Sequence, residues 1–138
     1  MIDFDTEAPT RRPPIFITPE DHRRLTGLLP RAAGPLGPGA ALLAEEMTRA
    51  HVCEEADMPA HIVRIGSRVR YRDLDQRLTR EVTLVMPADA DARLARLSVL
   101  TPDGAALIGL PKEQVFPFPG ADGEPRRLVV LEVFNDWL

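Results

Sequence analysis

The sequence predicts an α+β fold in which two short helices precede an antiparallel sheet with one short helix against it. Apolar residues recur with helical spacing in the first half of the chain, and a segment rich in Pro and Gly separates two such stretches. The second half changes to the alternation of a half-buried strand. We expect an irregular arm over residues 1–17, a short helical hairpin over residues 18–58 and a sheet domain over residues 59–138.

Composition narrows the classes of protein to consider. A chain of 138 residues is long enough for one packed domain with a small appendage. Its net charge of -4 argues against strong direct binding of nucleic acid, which needs a clustered surplus of Lys and Arg. The single cysteine, Cys53, excludes an internal disulfide, and we expect a cytoplasmic protein because no apolar run or signal-like start is present.

The first helix has a clear start. Residues 15–17 form either a short extended segment or an apolar contact with the body, and Thr18 then suits the N-cap, with Pro19 in the first helical position. We expect about three turns, on the order of 16 Å, that end at Pro30. An apolar stripe is formed by Leu25, Leu28 and Leu29.

Residues 30–39 contain three prolines, three glycines and no carboxylate, which predicts a turn. A second helix is expected over about residues 40–56, with Leu43, Met47 and Ala50 at helical spacing. Helices joined by so short a loop usually pair antiparallel, and residues 57–61 then act as a linker.

The second half predicts a single antiparallel sheet. In the first strand, Ile65, Ser67, Val69 and Tyr71 alternate with an arginine stripe, Arg64, Arg68, Arg70 and Arg72. Further strands are expected at residues 81–86, within 94–100, at 114–118 and at 127–134. Pro117 places the strand at 114–118 on an edge, and residues 102–104 form a turn before a short helix at 105–108. Core positions are Leu107, Ile108, Val129, Val130 and Leu131, while Phe134 and Trp137 either cover the body, fray or serve a partner.

A family resemblance rests on several segments of the second half. The run Ile65 to Val69, the strand at 81–86 with residues 87–91, and above all residues 97–110 (LSVLTPDGAALIGL) resemble the C-terminal domain of the GreA/GreB transcript cleavage factors. The family writes the last motif as Ser-Pro-x-Gly-x-Ala-Leu-x-Gly, and here Thr101 replaces the serine. The resemblance implies an FKBP-like fold for this half.

Segments of the first half are similar to the nucleoside diphosphate kinase regulator (Rnk) branch of that superfamily. They are Ile17-Thr18, Leu28-Leu29, Leu43 to Met47, Arg49 to Cys53 and Met58-Pro59. Together the two halves cover about residues 15–133. The resemblance implies a bacterial monomer that binds RNA polymerase and regulates the level of nucleoside diphosphate kinase.

The superfamily mechanism makes two physical demands on a cleavage factor. A long helical hairpin must enter the polymerase secondary channel, and carboxylates at its tip must help to hold a catalytic Mg²⁺, which prefers hard oxygen ligands. The short first helix and the carboxylate-free tip at residues 30–39 fail both demands. We therefore expect a non-enzymatic protein, without catalytic residues or cofactor, that docks near the secondary channel, does not stimulate cleavage and competes with Gre-type factors.

The docking residues follow from the resemblance. In the superfamily the Ser-Pro loop contacts the polymerase rim, and the matching positions are Thr101, Pro102, Asp103, Gly104 and Ala105. The arginine stripe fits either a solvated strand face or a secondary polymerase contact through Arg68 and Arg70.

Two other functions remain open from sequence. FKBP-like folds also host prolyl isomerases, although fold analogy alone is a weak warrant. Direct binding to nucleoside diphosphate kinase is the other alternative.

A metal site is not expected. His51 and Cys53 on a helix would point about 200° apart, and no further ligand pair completes a zinc set. The same geometry argues against a Cys-His nucleophile.

Overall fold

The computed structural model describes residues 11–29 and 37–136, and these residues confirm the α+β class. The helices are α1 (Pro19–Thr26), α2 (Pro38–Arg49) and α3 (Pro102–Leu107). The strands are β1 (Phe16–Ile17), β2 (His51–Val52), β3 (Arg68–Asp73), β4 (Leu78–Val85), β5 (Arg96–Ser98), β6 (Val115–Pro119) and β7 (Pro125–Phe134). Short 3-10 turns occupy Glu55–Asp57, Pro87–Asp89 and Ala92–Leu94. None of the helices seen in these residues is long and apolar enough to span a bilayer.

Helix α1 begins where the sequence predicts and ends early. The Thr18 hydroxyl accepts a hydrogen bond from the Asp21 amide at 3.2 Å, as an N-cap should. The helix stops at Thr26 rather than at Pro30, so it has 8 residues and is about 12 Å long. Residues 30–36, which include most of the predicted tip, lie outside the described part of the chain.

Helix α2 is shorter than predicted at its C-terminal end. It stops at Arg49, and Ala50 already has an extended backbone, so the expected helix over residues 40–56 is wrong from Ala50 onward. The next residues form β2, which pairs in parallel with β1, and the His51 amide donates to the Ile15 carbonyl at 2.9 Å. Backbone pairing with β1 therefore replaces further helical hydrogen bonds. Of the two alternatives for residues 15–17, Phe16–Ile17 form the short extended segment, and the side chains of Ile15 and Ile17 are also buried in the core.

The second half forms a five-stranded sheet in the order β5-β4-β3-β7-β6. The pairs β4-β3, β3-β7 and β7-β6 are antiparallel, whereas β4 and β5 are parallel. The expectation of a wholly antiparallel sheet is thus wrong at β5. The reason is that residues 86–95 carry the chain back through two 3-10 turns before β5 begins, which is the crossover that a parallel pair requires.

Strand β6 lies at an edge of the sheet, as its prolines predicted. Pro117 and Pro119 have no amide hydrogen to offer to another strand, so this edge resists pairing with a second chain. The Pro117 carbonyl is also occupied, because the Arg12 side chain donates to it at 3.2 Å.

One hydrophobic core joins the two halves of the chain. Leu42, Leu43 and Met47 of α2 belong to the same buried cluster as Tyr71 of β3 and Phe116 of β6. Four predicted core residues are buried, namely Leu107, Ile108, Val129 and Val130. Leu131 is half-buried instead, and Trp137 lies outside the described residues.

Buried charge fastens the N-terminal arm to this core. Glu46 of α2 has a fully buried side chain whose Oε2 accepts from Arg12 at 3.1 Å and from Arg49 at 2.8 Å. Arg49 also donates to the Pro13 carbonyl. The arm is therefore tied to α2 and, through Arg12, to β6.

Candidate functional site

The start of α3 explains why the family motif has its spacing. Thr101 is the N-cap, and its hydroxyl accepts from the Gly104 amide at 3.0 Å and donates to the Ser98 carbonyl at 2.8 Å. Pro102 occupies the first turn of α3. A backbone N–H there has no acceptor within the helix, so the missing N–H of proline costs no hydrogen bond. Helix α3 therefore begins at Pro102, so the turn expected at residues 102–104 is wrong, while the short helix expected at 105–108 is present and ends at Leu107.

Two glycines of the motif are required by the fold. A Cβ at Gly104 would lie 2.0 Å from the Ser98 carbonyl oxygen, so only glycine lets α3 approach the end of β5. Gly109 has a φ of +77°, and a Cβ there would lie 3.0 Å from the Phe16 carbonyl oxygen. The motif thus encodes a helix start, a close approach and a left-handed turn.

The five predicted docking residues differ in accessibility. Thr101, Pro102 and Asp103 are partly exposed, whereas Gly104 and Ala105 are buried. The expectation that all five form an exposed surface is therefore wrong for the last two, which pack against the body. Both help to hold the three partly exposed residues in place, and a contact with polymerase stays a prediction.

Asp103 is held by a buried polar network. The Tyr71 hydroxyl donates to Asp103 Oδ2 at 2.7 Å, and Arg126 Nη1 lies 2.8 Å from Asp103 Oδ1. Arg126 also donates through Nε to Asp73 Oδ2 at 3.1 Å and lies over the Phe118 ring. Both oxygens of Asp103 are therefore occupied within the molecule, and the network fixes α3 to β3 and β7.

Burial and hydrogen bonds shift the pKa values of this network. Burial raises the pKa of Tyr71 above its usual range, and the hydrogen bond to Asp103 adds to that rise. Burial by itself would raise the pKa of Asp73, but amide hydrogen bonds from Gln76 and Asp75 together with the Arg126 guanidinium outweigh it and hold that pKa below its usual range. Asp73 is thus a buried, charged anchor for Arg126.

Helix α2 starts directly against the loop that precedes α3. A Cβ at Gly39 would lie 1.9 Å from the Leu100 carbonyl oxygen and 2.6 Å from the Thr101 carbonyl carbon. The buried residues of α2 then run from Gly39 to Met47, almost its full length. The second helix of the predicted hairpin therefore lies flush on the body and begins beside the N-cap of α3.

A groove of about 580 Å³ opens beside Thr101, between β4, β5 and the turn that precedes β5. Its apolar lining includes Val82 and Leu97, and none of its lining residues is aromatic. Leu94, next to the lining residue Ala95 in sequence, is 58% exposed, the highest exposure of the large hydrophobic residues in the described chain. An apolar groove with an exposed leucine beside it, adjoining the predicted docking residues, is suited to contact another protein.

The arginine stripe does not form one uniform surface. Arg64 is buried and bonds Glu55 through both Nη atoms, at 2.5 and 2.8 Å, so its placement on a solvated face was wrong. Arg68 lies 4.1 Å from the centre of the Phe134 ring and 3.4 Å from Glu81. Arg70 is exposed and stands in register between Glu81 and Glu132 of the neighbouring strands. Cross-strand carboxylates thus offset much of this charge, and the secondary contact through Arg68 and Arg70 stays a prediction.

Within the described parts of the chain, no group of three or more His, Cys, Asp or Glu side chains is arranged so that it could hold a metal ion. His51 and Cys53 follow the end of α2, so the helical angle expected between them does not apply. Cys53 Sγ lies 3.9 Å from Met58 Sδ.

Comparison with known families divides the chain into two matched segments. Residues 58–135 match the C-terminal domain of the transcription elongation factors GreA and GreB, and residues 13–52 match the Rnk N-terminus. The regulator of nucleoside diphosphate kinase of Escherichia coli K12 is 37% identical over 122 residues, which cover 88% of this chain and 90% of that protein. The transcription elongation factor GreA of Thermodesulfovibrio yellowstonii is 34% identical over 67 residues, 49% of this chain and 42% of that one.

A solved structure has the same architecture. The GreA/GreB transcription elongation factor from Nitrosomonas europaea superimposes with a TM-score of 0.67 and 33% identity, over 88% of this chain and 98% of that one. These relatives are regulators and transcription factors rather than enzymes. The order of the two segments, the motif at α3 and the extent of the identity together show that the chain belongs to the nucleoside diphosphate kinase regulator (Rnk) branch of the GreA/GreB family.

Proposed function

We propose that this protein binds RNA polymerase at the rim of the secondary channel and does not stimulate transcript cleavage. The contact is made by the partly exposed start of α3, from Thr101 to Asp103, and by the adjoining groove. It competes with the factors that insert a catalytic hairpin there. The family relationship supports the partner, since the matched relatives include transcription elongation factors.

The main support for the absence of cleavage stimulation is the position of α2. A cleavage factor needs a hairpin that projects from the body, but α2 has 12 residues, about 18 Å, and packs one face against the body from Gly39 to Met47. Its first turn has no acidic residue, and residues 30–39 contain neither Asp nor Glu. The start of α2 therefore provides neither the reach nor the carboxylate ligands for a catalytic Mg²⁺, and the carboxylates of this helix, Glu45 and Glu46, lie farther along it beside Arg12.

Prolyl isomerase activity gains no support from the groove. Isomerase pockets of FKBP-like folds are lined by several aromatic side chains, whereas none of the residues that line the groove beside Thr101 is aromatic. The name of the Escherichia coli relative refers to regulation of nucleoside diphosphate kinase. In our proposal this protein affects that kinase indirectly, through transcription, and forms no direct complex with it.

Equilibrium binding to core RNA polymerase tests the proposal. Labelled protein should bind the polymerase, and an unlabelled cleavage factor should displace it. Pro102→Arg should weaken binding at least about tenfold, because a long charged side chain then stands at the centre of the contact. Pro59→Arg, an equal change at an exposed site away from the groove, should bind like the unchanged protein.

Two results would contradict the proposal. Binding that is absent, or that the cleavage factor does not displace, excludes the rim as the site. Tight binding to purified nucleoside diphosphate kinase without any to polymerase would favour the direct alternative instead.

A further inference from the structure

Two arginines belong to the lining of the groove. Arg80 of β4 and Arg96 of β5 are both exposed, and both line it together with Val82 and Leu97. No ion pair engages either guanidinium within the described parts of the chain. The volume of about 580 Å³ is within the range of well-formed binding pockets, so the groove is large enough to take side chains of a partner.

The carboxylates of the same groove already have partners. Glu81 lies 3.4 Å from Arg68, and Asp91 accepts from the Arg93 amide at 3.0 Å. They are therefore committed elsewhere, while the two arginines can each donate to a ligand. Arginine suits this role because its planar guanidinium can pair with a carboxylate through two parallel hydrogen bonds.

We infer that Arg80 and Arg96 determine which polymerase segment the groove accepts, namely one that carries carboxylates beside apolar side chains. The inference rests on the proposed docking to polymerase and adds the chemistry of the partner. The apolar part of the segment packs on Leu97 and Val82, and its carboxylates pair with the two arginines. Leu94, exposed next to the groove, extends the apolar contact.

A protein partner fits this groove better than a nucleic acid. Single-stranded nucleic acid is usually bound by a positive groove with aromatic side chains on which bases stack. Here no lining residue is aromatic, so the bases would have no side chain on which to stack. An apolar segment that carries carboxylates needs no such stacking, because the lining supplies the apolar contact and the arginines supply the charge.

Charge-removal variants in the full-length protein separate this inference from its alternatives. The double variant Arg80→Gln/Arg96→Gln should lower affinity for core polymerase at least about tenfold at low salt, since it removes both partners of the carboxylates. The loss should shrink as ionic strength rises toward about 0.3 M, because salt screens exposed charges. Arg23→Gln/Arg77→Gln, which removes two exposed charges from α1 and the β3–β4 turn, is the matched control and should stay within about twofold.

The outcomes distinguish the inference from the proposed function. If the unchanged protein does not bind polymerase, the proposed function fails and takes this inference with it. If Pro102→Arg weakens binding but Arg80→Gln/Arg96→Gln matches its control, docking stands and the role of the two arginines is wrong. A double variant that loses affinity for a single-stranded RNA oligonucleotide but not for polymerase would identify the groove as a nucleic-acid site and overturn the inference.

Discussion

Gly39 gives the sharpest test of how α2 meets the docking loop. In Gly39→Ala the new Cβ would lie 1.9 Å from the Leu100 carbonyl oxygen, whereas ordinary contacts begin at 3.4 Å. The helix or the loop must therefore move by about 1.5 Å in a closely packed region. Moving the loop displaces Thr101, whose hydroxyl caps α3. We expect both stability and polymerase affinity to fall.

The magnitude follows from two opposing effects. Alanine is better than glycine inside a helix by about 0.5–1 kcal/mol, which favours the variant. Overpacking of this kind costs about 1–3 kcal/mol or more, and here the clash is with backbone, which cannot rotate away. The net expectation for Gly39→Ala is a loss of about 1–2 kcal/mol in the free energy of unfolding.

Urea denaturation followed by circular dichroism measures this loss. With a slope of about 1–3 kcal/mol per molar, the midpoint should fall by roughly 0.3–2 M. Gly37→Ala is the matched control, because it is the N-cap of the same helix and a Cβ there meets no atom of the described residues within 4 Å. If Gly39→Ala were as stable as the control and bound polymerase equally well, α2 would not support the docking loop and our reasoning would be refuted.

Two further substitutions test the interior of the site. Asp73→Asn should lower the free energy of unfolding by about 1.5–3 kcal/mol at neutral pH, because Arg126 loses its buried charged partner. The pKa of Asp73 is held below its usual value, so the stabilisation by the charged Asp73 is present above about pH 4 and is lost as the pH falls through the folded-state pKa. The stabilities of the variant and the unchanged protein should therefore converge in acid. A stability difference that stays constant down to about pH 2 would contradict the role of Asp73 as a charged partner of Arg126. Gly104→Ala should cost at least about 2 kcal/mol by the same denaturation measurement, because its Cβ would lie 2.0 Å from the Ser98 carbonyl oxygen; stability equal to that of the unchanged protein would show that α3 can move freely away from β5.

The sequence predicted correctly those helices and strands whose conformation depends on their own residues. Thr18 and Pro19 start α1 as their types require, and the alternation around Val69 and Tyr71 predicts β3. The prolines of β6 placed it on an edge. In each case the deciding interactions lie within a few residues of the pattern that predicted them.

Long-range pairing decided the elements that the sequence misplaced. Nothing in the run from Ala50 to Cys53 stops a helix, and α2 ends there because β2 pairs with β1, more than thirty residues earlier in the chain. Strand β5 is parallel to β4 because of the path of the intervening turns. Arg64 is buried because Glu55 supplies a paired carboxylate, which strand alternation cannot reveal.

The candidate site was predicted in part. The family motif located Thr101, Pro102 and Asp103. Other positions that made the motif recognisable, such as Gly104 and Gly109, are required by the backbone conformation and close packing of the fold and not by a contact with a partner. The groove was missed because it forms only when β4 and β5 pair and the turn before β5 packs beside them. The exposed Leu94 was the one local signal for it, since a large apolar residue in a short turn has little core to join.

Transcript cleavage in a stalled polymerase complex shows whether this protein docks at the secondary channel without promoting cleavage. With a fixed amount of a cleavage factor present, increasing amounts of this protein should reduce the cleavage rate until only the intrinsic rate of polymerase remains. The protein added alone should leave the intrinsic rate unchanged. A cleavage rate that rises when the protein is added alone, or that does not respond to it in the presence of the factor, would contradict the account.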